Sequence, residues 1–196
     1  METAIKHFTG QQVEEAFQLA KATNRPLLID FWADNCKGCQ RMDAVTYEDD
    51  VVREYLEQHY VLVKFNVKEV TKAFATKYLT RALVWTPAFF MYAPDGNVVR
   101  EATGYLPPHQ LLPELTIGRA LLLMRRGKPA ESIPLLNELI AGEIHPSLHQ
   151  EVLYWLGVAA FFAEGKSFDA LVPYWRELRE TYPGSIWAER ADTFPQ

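Results

Sequence analysis

The two cysteines of this 196-residue chain stand three positions apart, as Cys36-Lys37-Gly38-Cys39, and a short apolar run, Leu27 to Trp32, leads into them. That run has the length and character of a strand buried on both faces, and the pattern after Cys39 turns helical through Met42. A Cys-x-x-Cys pair between a buried strand and a helix start restricts the fold to one in which the sheet delivers its chain directly to a helix amino end. Two cysteines this close cannot staple a disulfide-dependent domain. Zinc would need about four ligands, and there is no second Cys pair, so no metal is expected. The pair is therefore expected to serve chemistry. At a helix start the first sulfur meets free backbone N–H groups and the positive end of the helix dipole, which favour the thiolate. The second sulfur lies one turn on, placed to release a mixed disulfide. Cys36 is thus read as the nucleophile and Cys39 as the resolving thiol, and the polar Asp30 within the apolar run is an anomaly.

The remaining pattern surrounds this unit with further elements. Val13, Ala16, Phe17 and Ala20 predict a helix from about Gln11 to Lys21, ended by Asn24-Arg25-Pro26. Helices are also predicted over Val51 to Gln58 and Val70 to Tyr78, and a strand over Tyr60 to Val67. Ala88 to Ala93 and Asn97 to Ala102 read as a hairpin closed by Pro94-Asp95-Gly96, before a helix that begins at Pro108 or His109. Alternation of this kind describes an α/β domain with a mixed sheet and helices on both faces. Past Ile117 only helical signals remain. Gly127-Lys128 and Gly165-Lys166 open similar segments 38 positions apart, and Pro134/Pro173, Glu138/Glu177 and Leu139/Leu178 follow with one residue inserted. The chain is accordingly read as an α/β domain, 1–117, and an all-α helical-repeat tail, 118–196, that resembles the tetratricopeptide family over about one and a half repeats.

Leu28-Ile29-Asp30-Phe31-Trp32-Ala33-Asp34-Asn35-Cys36-Lys37-Gly38-Cys39 resembles the thioredoxin family's apolar strand, Asp-Phe-Trp-Ala, acidic residue, aromatic and Cys-Gly-Pro-Cys. The resemblance implies a thioredoxin fold. It implies that Asp30 is the buried carboxylate assisting proton transfer from Cys39, and that Lys64 is the lysine beside that carboxylate. Thr86-Pro87 matches the family's cis-proline opposite the dithiol, with Thr86 offering backbone hydrogen bonds to an extended substrate, and Gly104 matches the glycine bordering the substrate groove. Trp85 would stand on the rim of the same surface, in a substrate contact or a packing role. Lys37-Gly38 in place of Gly-Pro, and Asn35 in place of the aromatic, depart from the pattern. The stretch from Asp34 to Val61 is closer to the longer branch that includes the C-terminal domain of bacterial membrane disulfide reductases.

Two function classes follow. The first is a thiol-disulfide oxidoreductase that reduces protein disulfides through a mixed disulfide. It needs no cofactor beyond its own disulfide and an external electron donor, and its partners are a disulfide-bearing protein and a redox partner protein. The second is a chaperone-like or adaptor protein whose helical tail captures a protein partner, with the dithiol as a sensor; thioredoxin-like domains joined to tetratricopeptide repeats occur in a holdase-like family that this chain resembles in outline. A net charge of -5 without a Lys/Arg cluster argues against nucleic acid, and no apolar stretch is long enough for a membrane span. Met1 to Lys6 shows no basic-then-apolar leader, so the expected compartment is cytoplasmic, or periplasmic if a leader has been removed.

Overall fold

A computed structural model describes residues 5–193. Five strands form one sheet: β1 Phe8–Thr9, β2 Leu27–Trp32, β3 Val61–Asn66, β4 Ala88–Tyr92 and β5 Val98–Thr103. Their order across the sheet is β1-β3-β2-β4-β5; β1, β3 and β2 run parallel, β4 runs antiparallel to β2, and β5 antiparallel to β4. β2 is therefore central, hydrogen-bonded on both sides, which is why its six residues carry almost no polar side chain. β1 has no counterpart in the sequence reading; two residues are too short to show a period.

Side chains alternate across a strand, so β2 sends Leu27, Ile29 and Phe31 to one face and Leu28 and Asp30 to the other. The first face is closed by α1 Val13–Thr23 and α4 Lys72–Tyr78. Phe17, Phe74 and Tyr78 from these helices meet Phe31, Phe65, Phe90 and Tyr92 from the sheet in a continuous aromatic core. Offset and edge-on rings of this kind each add about 0.5–1.5 kcal/mol beyond the area they bury. α2 Lys37–Arg41 and α3 Asp50–His59 belong to the opposite face, where Met42, Val52, Leu56 and Met91 are all buried. A single π-type turn, Met42–Thr46, continues α2 without a break, closed by the Tyr47 N–H on the Met42 carbonyl.

The chain divides into two compact units, one running through Leu112 and the other from Pro113, a division that falls inside helix α5, Pro108–Arg125. The second unit continues with α6 Pro129–Ala141, α7 Pro146–Ala163, α8 Phe168–Thr181 and α9 Ile186–Ala191. Gly127 and Gly165 close the helices before α6 and α8 at φ 72° and 67°, the left-handed conformation that lets a helix stop sharply. α7 packs between α6 and α8 around Leu136, Val152, Leu156 and Ala159, and a second cluster joins Leu153, Leu171, Trp175 and Leu178. Gly157 makes the closest approach possible: a Cβ there would stand 2.6 Å from the Trp175 ring, whose Nε1 donates to the Tyr154 carbonyl at 3.0 Å. No helix among the described residues is long and apolar enough to cross a membrane.

Candidate active site

The route from β2 to α2 is a four-residue turn, Ala33 to Cys36, in which Asn35 takes a left-handed φ of 59°. Asparagine tolerates that conformation better than the aromatic residue common at this place in the thioredoxin family. Asp34 anchors the turn to the end of β3, accepting from Asn66 at 3.3 Å and from Lys68. Cys36 is then the N-cap of α2, and its Sγ accepts the Cys39 N–H at 3.1 Å. A sulfur in that position takes up one of the helix's free amide donors, which favours its ionised form once the dithiol is reduced. The two cysteines are joined as a disulfide with their Cα atoms 5.3 Å apart. Cys36 is partly exposed, whereas Cys39 is buried.

Cys36 lines a cleft of about 660 Å³. Asn35, Cys36, Lys37 and Gly38 line one side, and Leu83 to Pro87 with Tyr105 line the other. The Thr86-Pro87 peptide is cis. Trp85 and its neighbour Val84 are 69% and 80% exposed, an unusual state for large apolar side chains. Gly104 supports the wall from behind, its N–H donating to the Pro87 carbonyl at 2.8 Å, while the lining position falls to Tyr105. Gly38 explains one departure from the family's Gly-Pro: a Cβ at this position would stand 2.8 Å from Pro87 Cδ. Gly38→Val is therefore expected to push the Pro87 loop outward and to cut dithiol-dependent turnover about tenfold, with helix content by circular dichroism unchanged.

Asp30 lies on the face of β2 that carries α2, and it is 1% exposed. Its register neighbours are Lys64 on β3 and Phe89 on β4. Oδ2 accepts the Tyr47 hydroxyl at 2.8 Å, and Oδ1 has no hydrogen-bond partner among the described residues. Burial pushes the carboxyl up to about 6; the Tyr47 hydrogen bond and the Lys64 charge oppose that rise, and the Asp43 charge adds to it. Tyr47 is itself buried, which raises its phenol well above the ordinary value and keeps it a proton donor. Lys64 lies across the ladder from Asp30 and its charge acts on that carboxyl, while its ammonium pairs with Asp43 and sits 5.5 Å from the Tyr47 ring centroid. The direct partner of the buried carboxylate is a tyrosine, because the π-type turn carries both Asp43 and Tyr47 toward this face of the sheet.

Sequence reasoning thus named the dithiol, Asp30, Lys64, Trp85, Thr86, Pro87 and Gly104, and missed Tyr47, Asp43 and Tyr105. Among the described residues no group of three or more His, Cys, Asp or Glu side chains is arranged to hold a metal ion.

A mixed five-stranded sheet with a Cys-x-x-Cys disulfide at the start of the helix after its central strand defines a dithiol protein of thioredoxin fold. Residues 13–117, more than half of the chain, match the family model of the thioredoxin-like domain, and the chain belongs to that family. It is 28% identical over 120 residues to the thiol:disulfide interchange protein DsbD of Yersinia pestis, a match covering 58% of this chain and 20% of that protein. With DsbD of Ralstonia nicotianae it shares 33% identity over 97 residues, covering 50% and 14%. The chain therefore spans about a fifth or less of the length of these relatives. A thioredoxin from Thermus thermophilus superposes with a TM-score of 0.51 at 23% identity, over 64% of this chain and 95% of that one, a likeness of fold.

Proposed function

We propose that the protein is a thiol-disulfide oxidoreductase that reduces disulfides in other proteins. The observation that carries this reading is the asymmetry of the pair: Cys36 is partly exposed at a helix N-cap beside an open cleft, and Cys39 is buried behind it. In the reduced protein the Cys36 thiolate attacks one sulfur of the target disulfide. The Cys36–target bond forms, the target's own S–S bond breaks, and one target thiolate leaves. Cys39 then gives its proton to the Asp30 carboxylate and attacks Cys36 Sγ. The Cys36–Cys39 bond forms, the second target thiolate leaves, and two electrons have passed to the target. An external dithiol donor restores the reduced pair.

Each side chain has a physical reason for its role. Asp30 is suited to proton transfer because burial brings its carboxyl up to about 6, near the working pH. Trp85 and Val84 offer apolar area to a target, and Thr86 its backbone, so an extended peptide could lie along the loop that ends at Pro87. Gly104 holds that loop through the Pro87 carbonyl. The likeness to proteins named for thiol:disulfide interchange supports the same reading. Reduced Cys39→Ser protein, mixed with a disulfide-bearing polypeptide such as insulin, is expected to accumulate a stable one-to-one adduct through Cys36. Absence of an adduct on a non-reducing gel contradicts the assignment.

The helical unit supports one addition. Phe162, Phe168 and Ile186 are 50%, 57% and 66% exposed, so this unit is a candidate surface for a protein partner. A partner retained by the Cys36→Ser protein and lost on Phe162→Ser substitution would bear this out.

A further inference from the structure

We propose that Tyr47 is the positioning residue of the proton-transfer step, holding Oδ2 of Asp30 so that Oδ1 is the atom that receives the Cys39 proton. This inference rests on the oxidoreductase reading.

The two oxygens of the Asp30 carboxylate are held unequally. Asp30 is 1% exposed, so neither oxygen can draw on bulk water. Oδ2 accepts from the Tyr47 hydroxyl at 2.8 Å, while Oδ1 has no hydrogen-bond partner among the described residues. A buried acceptor left open is costly, and such sites persist where the open position has a use. A proton arriving at Oδ1 needs no bond to be broken first. A proton arriving at Oδ2 would have to displace or turn the phenol.

Tyr47 is fixed for this task. It is 3% exposed, its N–H closes the π-type turn on Met42, and its neighbour Thr46 ties the same turn to the Leu106 carbonyl at 2.7 Å. Its phenol stays protonated, so it donates in both states of the carboxylate and is not itself the base. The other groups that face Asp30 do not do this work. Lys64, from β3, is paired with Asp43, from the turn, and their charges act on Asp30 in opposite directions; β4 presents the apolar Phe89.

A hydrogen bond from Tyr47 to ionised Asp30 eases its ionisation. The test is the titration of the Asp30 carboxyl by carbon NMR in the oxidised protein, where no thiol titrates, for wild type and Tyr47→Phe. The wild-type midpoint is expected near 6 and the variant's about one pH unit higher. Phenylalanine keeps the ring and its packing. Should Tyr47→Phe fold poorly, protein made with 3-fluorotyrosine, a stronger donor, must move the midpoint downward. The second readout is the pH profile of insulin reduction, whose acidic limb must move up with the titration in Tyr47→Phe and cost about tenfold in rate below the wild-type midpoint. Coincident titrations or unmoved acidic limbs, in a wild type that turns over, overturn the role of Tyr47 alone. A wild type without turnover overturns the oxidoreductase reading, and the assignment of Oδ1 with it.

Discussion

Cys36→Ser is expected to bring dithiol-dependent insulin reduction down to the uncatalysed background, whereas Cys39→Ser retains the first chemical step and stalls after it. The two substitutions remove chemically equal groups, so the difference between them comes from position. Cys36 caps α2 and lines the cleft; Cys39 lies one turn further and is buried. A serine hydroxyl at position 36 is hardly ionised at neutral pH and cannot attack a disulfide, so nothing else in the site replaces the lost step. At position 39 the serine leaves Cys36 free to form the mixed disulfide but unable to leave it. The measurement is the rate of insulin precipitation with excess dithiothreitol, paired with a non-reducing gel.

Asp30→Asn is expected to make the protein slower and more stable at once. Burial raises this carboxyl from 3.8 to about 6, so the folded state binds its proton more tightly than the unfolded state does. Stability therefore falls as the pH rises through the window from about 4 to about 6, and above it the ionised, buried group costs the fold about 3 kcal/mol. Asparagine resembles the protonated acid: its amide oxygen still accepts from Tyr47, and no charge is buried. Urea denaturation of the oxidised proteins should show the variant about 2–3 kcal/mol more stable at pH 7.5 and the difference nearly gone at pH 4. Turnover, in contrast, should fall most at neutral pH, where the wild-type carboxylate is ionised and able to take the Cys39 proton. A variant that gains no stability at pH 7.5 would show that Asp30 is better solvated than its burial implies.

Much of the site could be read from the sequence because its parts carry local signals. The apolar run interrupted by Asp30, the two cysteines at helix-start spacing, Asp95-Gly96 between two strands and the Thr86-Pro87 dipeptide each identify themselves within a few residues. The family pattern then related these separate signals to one another. What could not be read depends on contacts between residues far apart, or on a departure from regular periodicity. The extra residue per turn in Met42–Thr46 changes the rotational phase of the helix, so a period of 3.6 gives no warning that Asp43 and Tyr47 reach the sheet. The resemblance put Lys64 beside Asp30, and the two do share a ladder position, but the ammonium at the far end of its flexible stem pairs with Asp43. β1 is fixed by the edge of β3 and by nothing in its own two residues. Nothing in the sequence around Gly38 shows the close approach of Pro87 that a Cβ there would meet.

Cys36 is the reactive sulfur of the pair in the proposed mechanism, and its alkylation rate tests this most directly. Reduced protein is treated with a small excess of iodoacetamide at pH 6.5, and the modified residue is followed by peptide mass spectrometry against free cysteine in the same tube. Cys36 is expected to be labelled first, about tenfold or more faster than free cysteine, with Cys39 protected until the protein unfolds. Labelling of Cys36 no faster than free cysteine, or of Cys39 ahead of it, would contradict the account.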